Sequence, residues 1–205
     1  MLTLYHTTHC PNCSAQEKIL QKLQAELPEL HIERVNLETA PDVAVVPPIR
    51  AVPTLFINAY RFDGLMKADE IRKWLGPDNH DREYIHELLK TGQLDAAQAW
   101  LQQHPEALTG VLSLFRDTAL ELGVRIGLDT LMEELIRTGD PAALTTALGN
   151  VLADAADSLC IDLLHYLAMI ATPEAIAHIR TCATRAHPEV RRVATELLEE
   201  LTAAG

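Results

Sequence analysis

The first third of the chain combines short apolar runs with one amphipathic stretch. Apolar and polar side chains alternate in residues 2–5 and again in residues 31–37, and this period of two predicts strands. Between them, residues 14–27 carry apolar side chains three and four positions apart, which predicts a helix. A further apolar run over residues 51–57 predicts another strand, and residues 68–75 a short helix. The order is β-α-β-β-α, which indicates a small α/β domain.

Strand patterns are no longer found after residue 76. Glycine, proline and two turn-forming residues at positions 76–79 indicate a linker. Beyond it, leucine and alanine recur at helical spacing, and turn signals divide the segment into seven or eight helices. We therefore predict an α/β domain over residues 1–76, a linker over 77–81 and an all-α domain over 82–205.

The helical segment contains an internal repeat. Residues 139–144 match residues 171–176 at a spacing of 32, and both segments place a proline where a helix would begin. Leu131 and Leu135 correspond to Leu163 and Leu167 at the same spacing. Repeats of this length predict stacked helix pairs that bury a continuous core.

Cys10-Pro11-Asn12-Cys13 carries the clearest chemical signal in the chain. The motif lies where the first strand ends and the first helix begins. At a helix N-terminus, unpaired N–H groups and the positive end of the helix dipole favour a thiolate over a thiol. Cys10 is therefore the predicted nucleophile. Cys13, one turn later, is the residue that would resolve a mixed disulfide.

Other chemistries for this cysteine pair remain open from the sequence. His6 and His9 could join the two thiols in a zinc site, and an iron–sulfur role or a purely structural pair are further alternatives. No second Cys-x-x-Cys accompanies the motif, so we predict no metal. His9 could stabilise the Cys10 thiolate when protonated, or it could be a solvated turn residue.

The motifs of the first domain together resemble the thioredoxin/glutaredoxin superfamily. The matching features are the Cys10–Cys13 motif after a strand, Val52-Pro53-Thr54 near the third strand, and Gly64 before the last helix. The resemblance implies a short, glutaredoxin-like domain in which Pro53 is cis and lies beside the cysteines. It further implies that the backbone at Val52 pairs with an extended substrate, so Val52, Pro53 and Thr54 are the predicted substrate-binding residues. No bound cofactor is implied, and glutathione is one candidate reductant.

Part of the helical segment is similar to HEAT repeats. The similarity covers residues 124–202 and rests on HPEVRRVATELL at 187–198 and TPEAIAHI at 172–179. It implies a concave face that binds a protein partner, although a short stack could also serve only to pack against the first domain. Cys160 and Cys182 fall in this segment, where we expect them to be core residues; a second redox pair is the alternative.

Charge and hydropathy exclude some classes of function. The net charge is −12, of which residues 77–205 contribute −11, so a nucleic-acid partner is not expected. No apolar run is long enough to span a membrane, and because the first predicted strand starts at Leu2 we do not expect a secretory leader. Four cysteines with one close pair suit a reducing cytoplasm.

These features predict a cytoplasmic thiol–disulfide oxidoreductase that acts on protein disulfides. In this interpretation the helical domain recognises or docks a protein partner. The alternative is an interaction adaptor, either non-catalytic or one whose binding responds to the redox state of Cys10 and Cys13.

Overall fold

The chain divides into two units, residues 1–80 and 81–205. The structure is a computed structural model and describes residues 1–40, 48–76 and 78–203. The division falls within the linker that the sequence predicts over 77–81; Pro77 of that linker lies outside the described residues.

In the residues of the first unit that the structure describes, a four-stranded mixed sheet is combined with two helices. The elements are β1 (Leu2–His6), α1 (Pro11–Glu26), β2 (Ile32–Asn36), β3 (Thr54–Ile57), β4 (Tyr60–Asp63) and α2 (Ala68–Trp74).

α1 begins at Pro11, so Cys10 lies at the helix N-terminus as the sequence predicts. The Cys10 side chain caps the helix, and proline suits its first position. β3 begins at Thr54 rather than at residue 51, because Pro53 has no N–H to donate to a neighbouring strand.

The sheet order β2-β1-β3-β4 brings the cysteine motif and the proline loop to the same end of the sheet. β1 lies in the centre, parallel to β2 and antiparallel to β3. Tyr5, near the end of β1, pairs with Thr54 at the start of β3. The chain leaving β1 toward Cys10 and the chain entering β3 through Pro53 therefore meet at the same end of the sheet.

One apolar core holds the sheet against its helices. The strands contribute Leu2 and Leu4 of β1 with Leu55 and Ile57 of β3, all essentially inaccessible to solvent. From the helices, the core receives the fully buried side chains of Leu20, Leu23 and Ile71. Burial of this apolar area is the main stabilising contribution to the unit.

The second unit is helical throughout the part of the chain that is described. Its α-helices are α3 (Asp81–Lys90), α4 (Leu94–Gln103), α5 (Leu108–Leu114), α6 (Leu122–Thr138), α7 (Pro141–Ala153), α8 (Asp157–Ile170), α9 (Pro173–Cys182) and α10 (Pro188–Ala203). A single 3-10 turn, Pro105–Ala107, precedes α5. The prediction of seven or eight helices is confirmed for the described residues.

The helices of this unit pack in two rows. Neighbouring contacts join α4, α6, α8 and α10 in one row, and α5, α7 and α9 in the other. The 32-residue repeat has a structural counterpart. α7 and α9 begin at Pro141 and Pro173, each after a residue whose side chain caps the helix. The repeated Leu131 and Leu163 are both fully buried, so the repeat marks equivalent core positions.

Within the described residues, every helix is too short or too polar to traverse a lipid bilayer.

We predict that a fragment of residues 81–205 folds alone, because its helices bury their own core. It should be helical by circular dichroism and unfold cooperatively. In that fragment, Leu163→Ala should lower the free energy of unfolding by about 2–5 kcal/mol because it opens a cavity in the core. The control Leu122→Ala removes a side chain that is 72% exposed and should change stability by less than ~0.5 kcal/mol. A fragment without helicity would mean that the two units share a core.

Candidate dithiol site

Cys10 occupies the N-cap position of α1. Its backbone is extended, and its Sγ accepts a hydrogen bond from the Cys13 backbone N–H at 3.1 Å. Pro11 follows at the first helical position, and no acidic residue lies in the first turn. The sulfur of Cys10 thus lies at the helix N-terminus, where backbone N–H groups and the positive end of the helix dipole stabilise a negative charge.

Cys13 completes the pair one turn into the helix. The two sulfurs lie at disulfide contact, and the Cα atoms are 5.2 Å apart, within the range that a disulfide requires. The two residues differ in exposure, since Cys10 is partly exposed and Cys13 only 5% exposed. An incoming reactant therefore meets Cys10 first.

The loop before β3 lies against Cys10. The Val52–Pro53 peptide bond is cis, as the sequence resemblance implied. The carbonyl oxygen of Val52 is 3.6 Å from Cys10 Sγ. The carbonyl of Pro53 accepts a hydrogen bond from the Gly64 N–H at 2.7 Å, and Gly64 has a φ of +98°, which favours glycine. Gly64 therefore anchors the loop that contacts Cys10.

Thr54 supports this loop from the interior. Its side chain is fully buried, and its hydroxyl lies 2.8 Å from the Ala51 carbonyl and 2.7 Å from Asp63 Oδ1. Asp63 is held in turn by an ion pair with Arg61 at 3.0 Å. Because the Thr54 side chain is enclosed, a contact between Thr54 and a substrate would have to involve the backbone.

Gln16 connects α1, the helix that carries Cys13, to the segment before α2. It is fully buried, and its side-chain amide pairs with both backbone groups of Met66. The Met66 N–H donates to Gln16 Oε1 at 2.8 Å, and Gln16 Nε2 donates to the Met66 carbonyl at 3.3 Å. Sequence reasoning missed this residue. The signal that could have identified Gln16 as buried was its position four residues before Leu20, which places both residues on the same face of the helix.

A polar network fixes the loop between β1 and Cys10. The Thr8 hydroxyl donates to the Glu38 carboxylate and accepts from Asn36 Nδ2 at 3.2 Å. The bond from Thr8 holds the pKa of Glu38 below its usual value, and the nearby charges of His9 and His6 act in the same direction. His9 is exposed and lies near the Glu38 carboxylate as well as next to Cys10 in the chain.

A shallow groove of about 480 Å³ lies along α1 on the Cys13 side of the pair. Its walls include Cys13 and Lys18 from the helix and Arg34 and Asn36 from β2. Arg34 is paired with Glu17 at 3.0 Å, so the groove has mixed polarity rather than a single charge.

Among residues 1–40, 48–76 and 78–203, no three side chains of histidine, cysteine, aspartate or glutamate are grouped so that they could hold a metal ion. The arrangement of His6 and His9 with the two cysteines that a zinc site would need is therefore not found there.

Comparisons with known proteins do not assign this site. A scan against models of protein families found no match to the chain, and a search of curated proteins found none. Function is therefore inferred from the residues and their geometry.

We predict that Gln16→Leu destabilises the first unit by about 1–3 kcal/mol, because both backbone groups of Met66 would stay buried without a partner. Urea unfolding of the full chain, with hydrogen exchange of the Met66 amide, measures the effect. The matched control is Gln21→Leu, since Gln21 is exposed and bonds only to Glu17 on the same helix. It should change stability by less than ~0.5 kcal/mol. Equal effects of the two changes would contradict the role of Gln16.

We also predict that, in the reduced protein at neutral pH, iodoacetamide alkylates Cys10 first. Cys13 is nearly buried, and burial raises the pKa of the Cys160 and Cys182 thiols, so these three react more slowly. Timed alkylation with peptide mapping gives the order. Earlier labelling of Cys13 would reverse the roles of the two residues.

Proposed function

We propose that the protein is a thiol–disulfide oxidoreductase similar to glutaredoxins and thioredoxins. The observation that carries this proposal is the asymmetry of the Cys10–Cys13 pair. The sulfur of the partly exposed Cys10 caps a helix and faces the loop at Val52, while Cys13 lies nearly buried behind it. One cysteine is therefore suited to attack and the other to resolve.

The reaction transfers two electrons from the dithiol to a substrate disulfide. The Cys10 thiolate attacks one sulfur of the substrate, forming a mixed disulfide and releasing the first substrate thiolate, which takes up a proton. Cys13 then loses its proton and attacks Cys10 Sγ. This step releases the second substrate thiol and leaves the Cys10–Cys13 disulfide, which a thiol reductant, with glutathione as one candidate, must reduce before the next cycle.

The loop at 52–54 would align the substrate. Its position beside Cys10 supports a role for the Val52 and Pro53 backbone in pairing with an extended segment of the substrate. Thr54 holds the loop in place through its buried hydroxyl.

The helical unit would select or dock the protein that carries the disulfide. This part of the proposal rests on the similarity to HEAT repeats and on the two-row packing of the helices, an arrangement that usually presents an extended surface. The reducing cytoplasm is the proposed location, because free Cys160 and Cys182 persist most readily there.

We predict that Cys10→Ser reduces the rate of insulin disulfide reduction, with dithiothreitol as electron donor, to that of dithiothreitol alone. Cys13→Ser should stop turnover while a mixed disulfide on Cys10 accumulates, because the resolving thiol is missing. Trapping with Cys13→Ser in cells, followed by mass spectrometry, would then identify the substrate.

The control for this test is Cys182→Ala, which should leave turnover unchanged within about twofold, since it lies outside the proposed catalytic pair. If the wild-type protein exchanges with no protein or small-molecule disulfide, the oxidoreductase proposal is wrong and the adaptor is favoured. If Cys10 and Cys13 become oxidised without turnover, and this oxidation changes which proteins bind to the chain, the redox-sensing form of the adaptor is favoured.

A further inference from the structure

Two cysteines outside the candidate active site lie in one helix pair. Cys160 is in α8 and Cys182 is the last residue of α9. Both are free thiols, with 0% and 1% of their surface exposed. The proposed oxidoreductase reaction uses neither of them.

The short turn between α8 and α9 places the two cysteines at a similar level of the helix pair. α8 ends at Ile170 and α9 begins at Pro173, and the helices pack against each other as an antiparallel pair. Cys160 precedes Ile170 by ten residues, and Cys182 follows Pro173 by nine. At about 1.5 Å of rise per residue, the two positions lie at nearly the same level of the pair.

Arg185 reaches into this position from the turn after α9. Its Nη1 donates to Cys160 Sγ at 2.6 Å, and its Nη2 donates to the Leu152 carbonyl at the end of α7. The backbone of this turn is held as well, because Arg191 donates to the carbonyls of Arg185 and Ala186 at 3.0 and 2.9 Å. The Arg185 guanidinium is therefore held against the Cys160 thiol by its bond to the Leu152 carbonyl and by the bonds that fix the Arg185 backbone.

Burial is the largest influence on both thiols and raises the pKa of Cys160 and of Cys182, while the Arg185 guanidinium partly offsets it at both. The negative charge of Asp157 raises the pKa of Cys160 further. The two thiols also influence each other, since a charge on Cys182 raises the pKa of Cys160. Two thiols and one cation therefore form a single electrostatic cluster inside the helical unit.

We propose that Cys160 and Cys182 form a second redox-active dithiol, which a small disulfide such as oxidised glutathione converts to an intramolecular disulfide. Arg185 stabilises Cys160 as the attacking thiolate. The site is distinct from Cys10 and Cys13 in sequence and unit, and the proposal does not depend on the activity of that pair.

The reaction balances with the small disulfide as the oxidant. The Cys160 thiolate attacks one of its sulfurs, and the first leaving thiolate takes up a proton. Cys182 loses its proton and displaces the second thiol from Cys160, so that two electrons and two protons pass from the two cysteines to two small thiols. Because both cysteines are buried, the reagent must gain access through a local fluctuation of the helical unit rather than through global unfolding.

The test uses the full-length Cys10→Ser/Cys13→Ser variant, in which Cys160 and Cys182 are the remaining thiols. The reduced protein is incubated with oxidised glutathione, quenched with acid, alkylated and analysed by intact mass spectrometry. We expect both thiols to be lost together, with no glutathione adduct. Adding Cys182→Ala should instead give a stable adduct on Cys160. Adding Cys160→Ala should give a slower reaction at Cys182, because the Arg185 guanidinium bonds to Cys160 Sγ, whereas Arg185 bonds to Cys182 through its backbone N–H and the Cys182 carbonyl.

The role of the cation is tested by a matched pair of variants in the same background. Arg185→Gln should slow oxidation about tenfold, the change in thiolate fraction that one pKa unit produces. Arg185→Lys keeps the charge and should slow it less, and circular dichroism checks that both variants fold. A glutathione adduct on one cysteine without the intramolecular disulfide would overturn the proposal. Reaction of the two cysteines in urea but not in the folded protein would also overturn it. Equal oxidation rates for Arg185→Gln and Arg185→Lys would contradict the proposed role of the Arg185 charge.

Discussion

The antiparallel pairing of β1 with β3 is the constraint on which the dithiol site depends. β1 ends at His6, four residues before Cys10 at the start of α1, and β3 starts directly after Pro53, so their pairing forces these two segments to the same end of the sheet. Neither segment could reach the other through local structure alone, since Cys10 and Val52 are separated by 42 residues. The contact between Cys10 Sγ and the Val52 carbonyl is therefore a product of sheet register.

Buried polar groups then fix the parts that the sheet brings together. Gln16 pairs with both backbone groups of Met66, and Thr54 bonds to Asp63 beneath the proline loop. Such groups contribute little net stability when satisfied, but leaving one of them without a partner costs about 1–3 kcal/mol. They therefore specify one arrangement of α1 and the loop, and the apolar core of the unit supplies most of its stability.

The four cysteines show how environment decides the chemistry of one residue type. The Cys10 sulfur caps a helix at a partly exposed site, where helix N–H groups and the dipole favour the thiolate. Cys160 and Cys182 are enclosed in the helical unit, where burial raises the pKa of both thiols and Arg185 opposes that effect. In the reactions that we propose, the first pair would need only the approach of a disulfide, whereas the second would need local opening of the fold.

The sequence by itself determined the features that depend on neighbours along the chain. The spacing of apolar residues predicted the strands, the helices and the 32-residue repeat, and Cys10-Pro11-Asn12-Cys13 predicted a dithiol at a helix start. These signals are local, because helix and strand periods and capping preferences act within a few residues. Tertiary structure decided which side chains meet across long separations. Gln16 and Met66 are 50 positions apart, and Cys160 and Arg185 are 25 apart. No periodicity encodes such contacts, because they depend on how complete helices and strands pack, and that packing is set by the core as a whole.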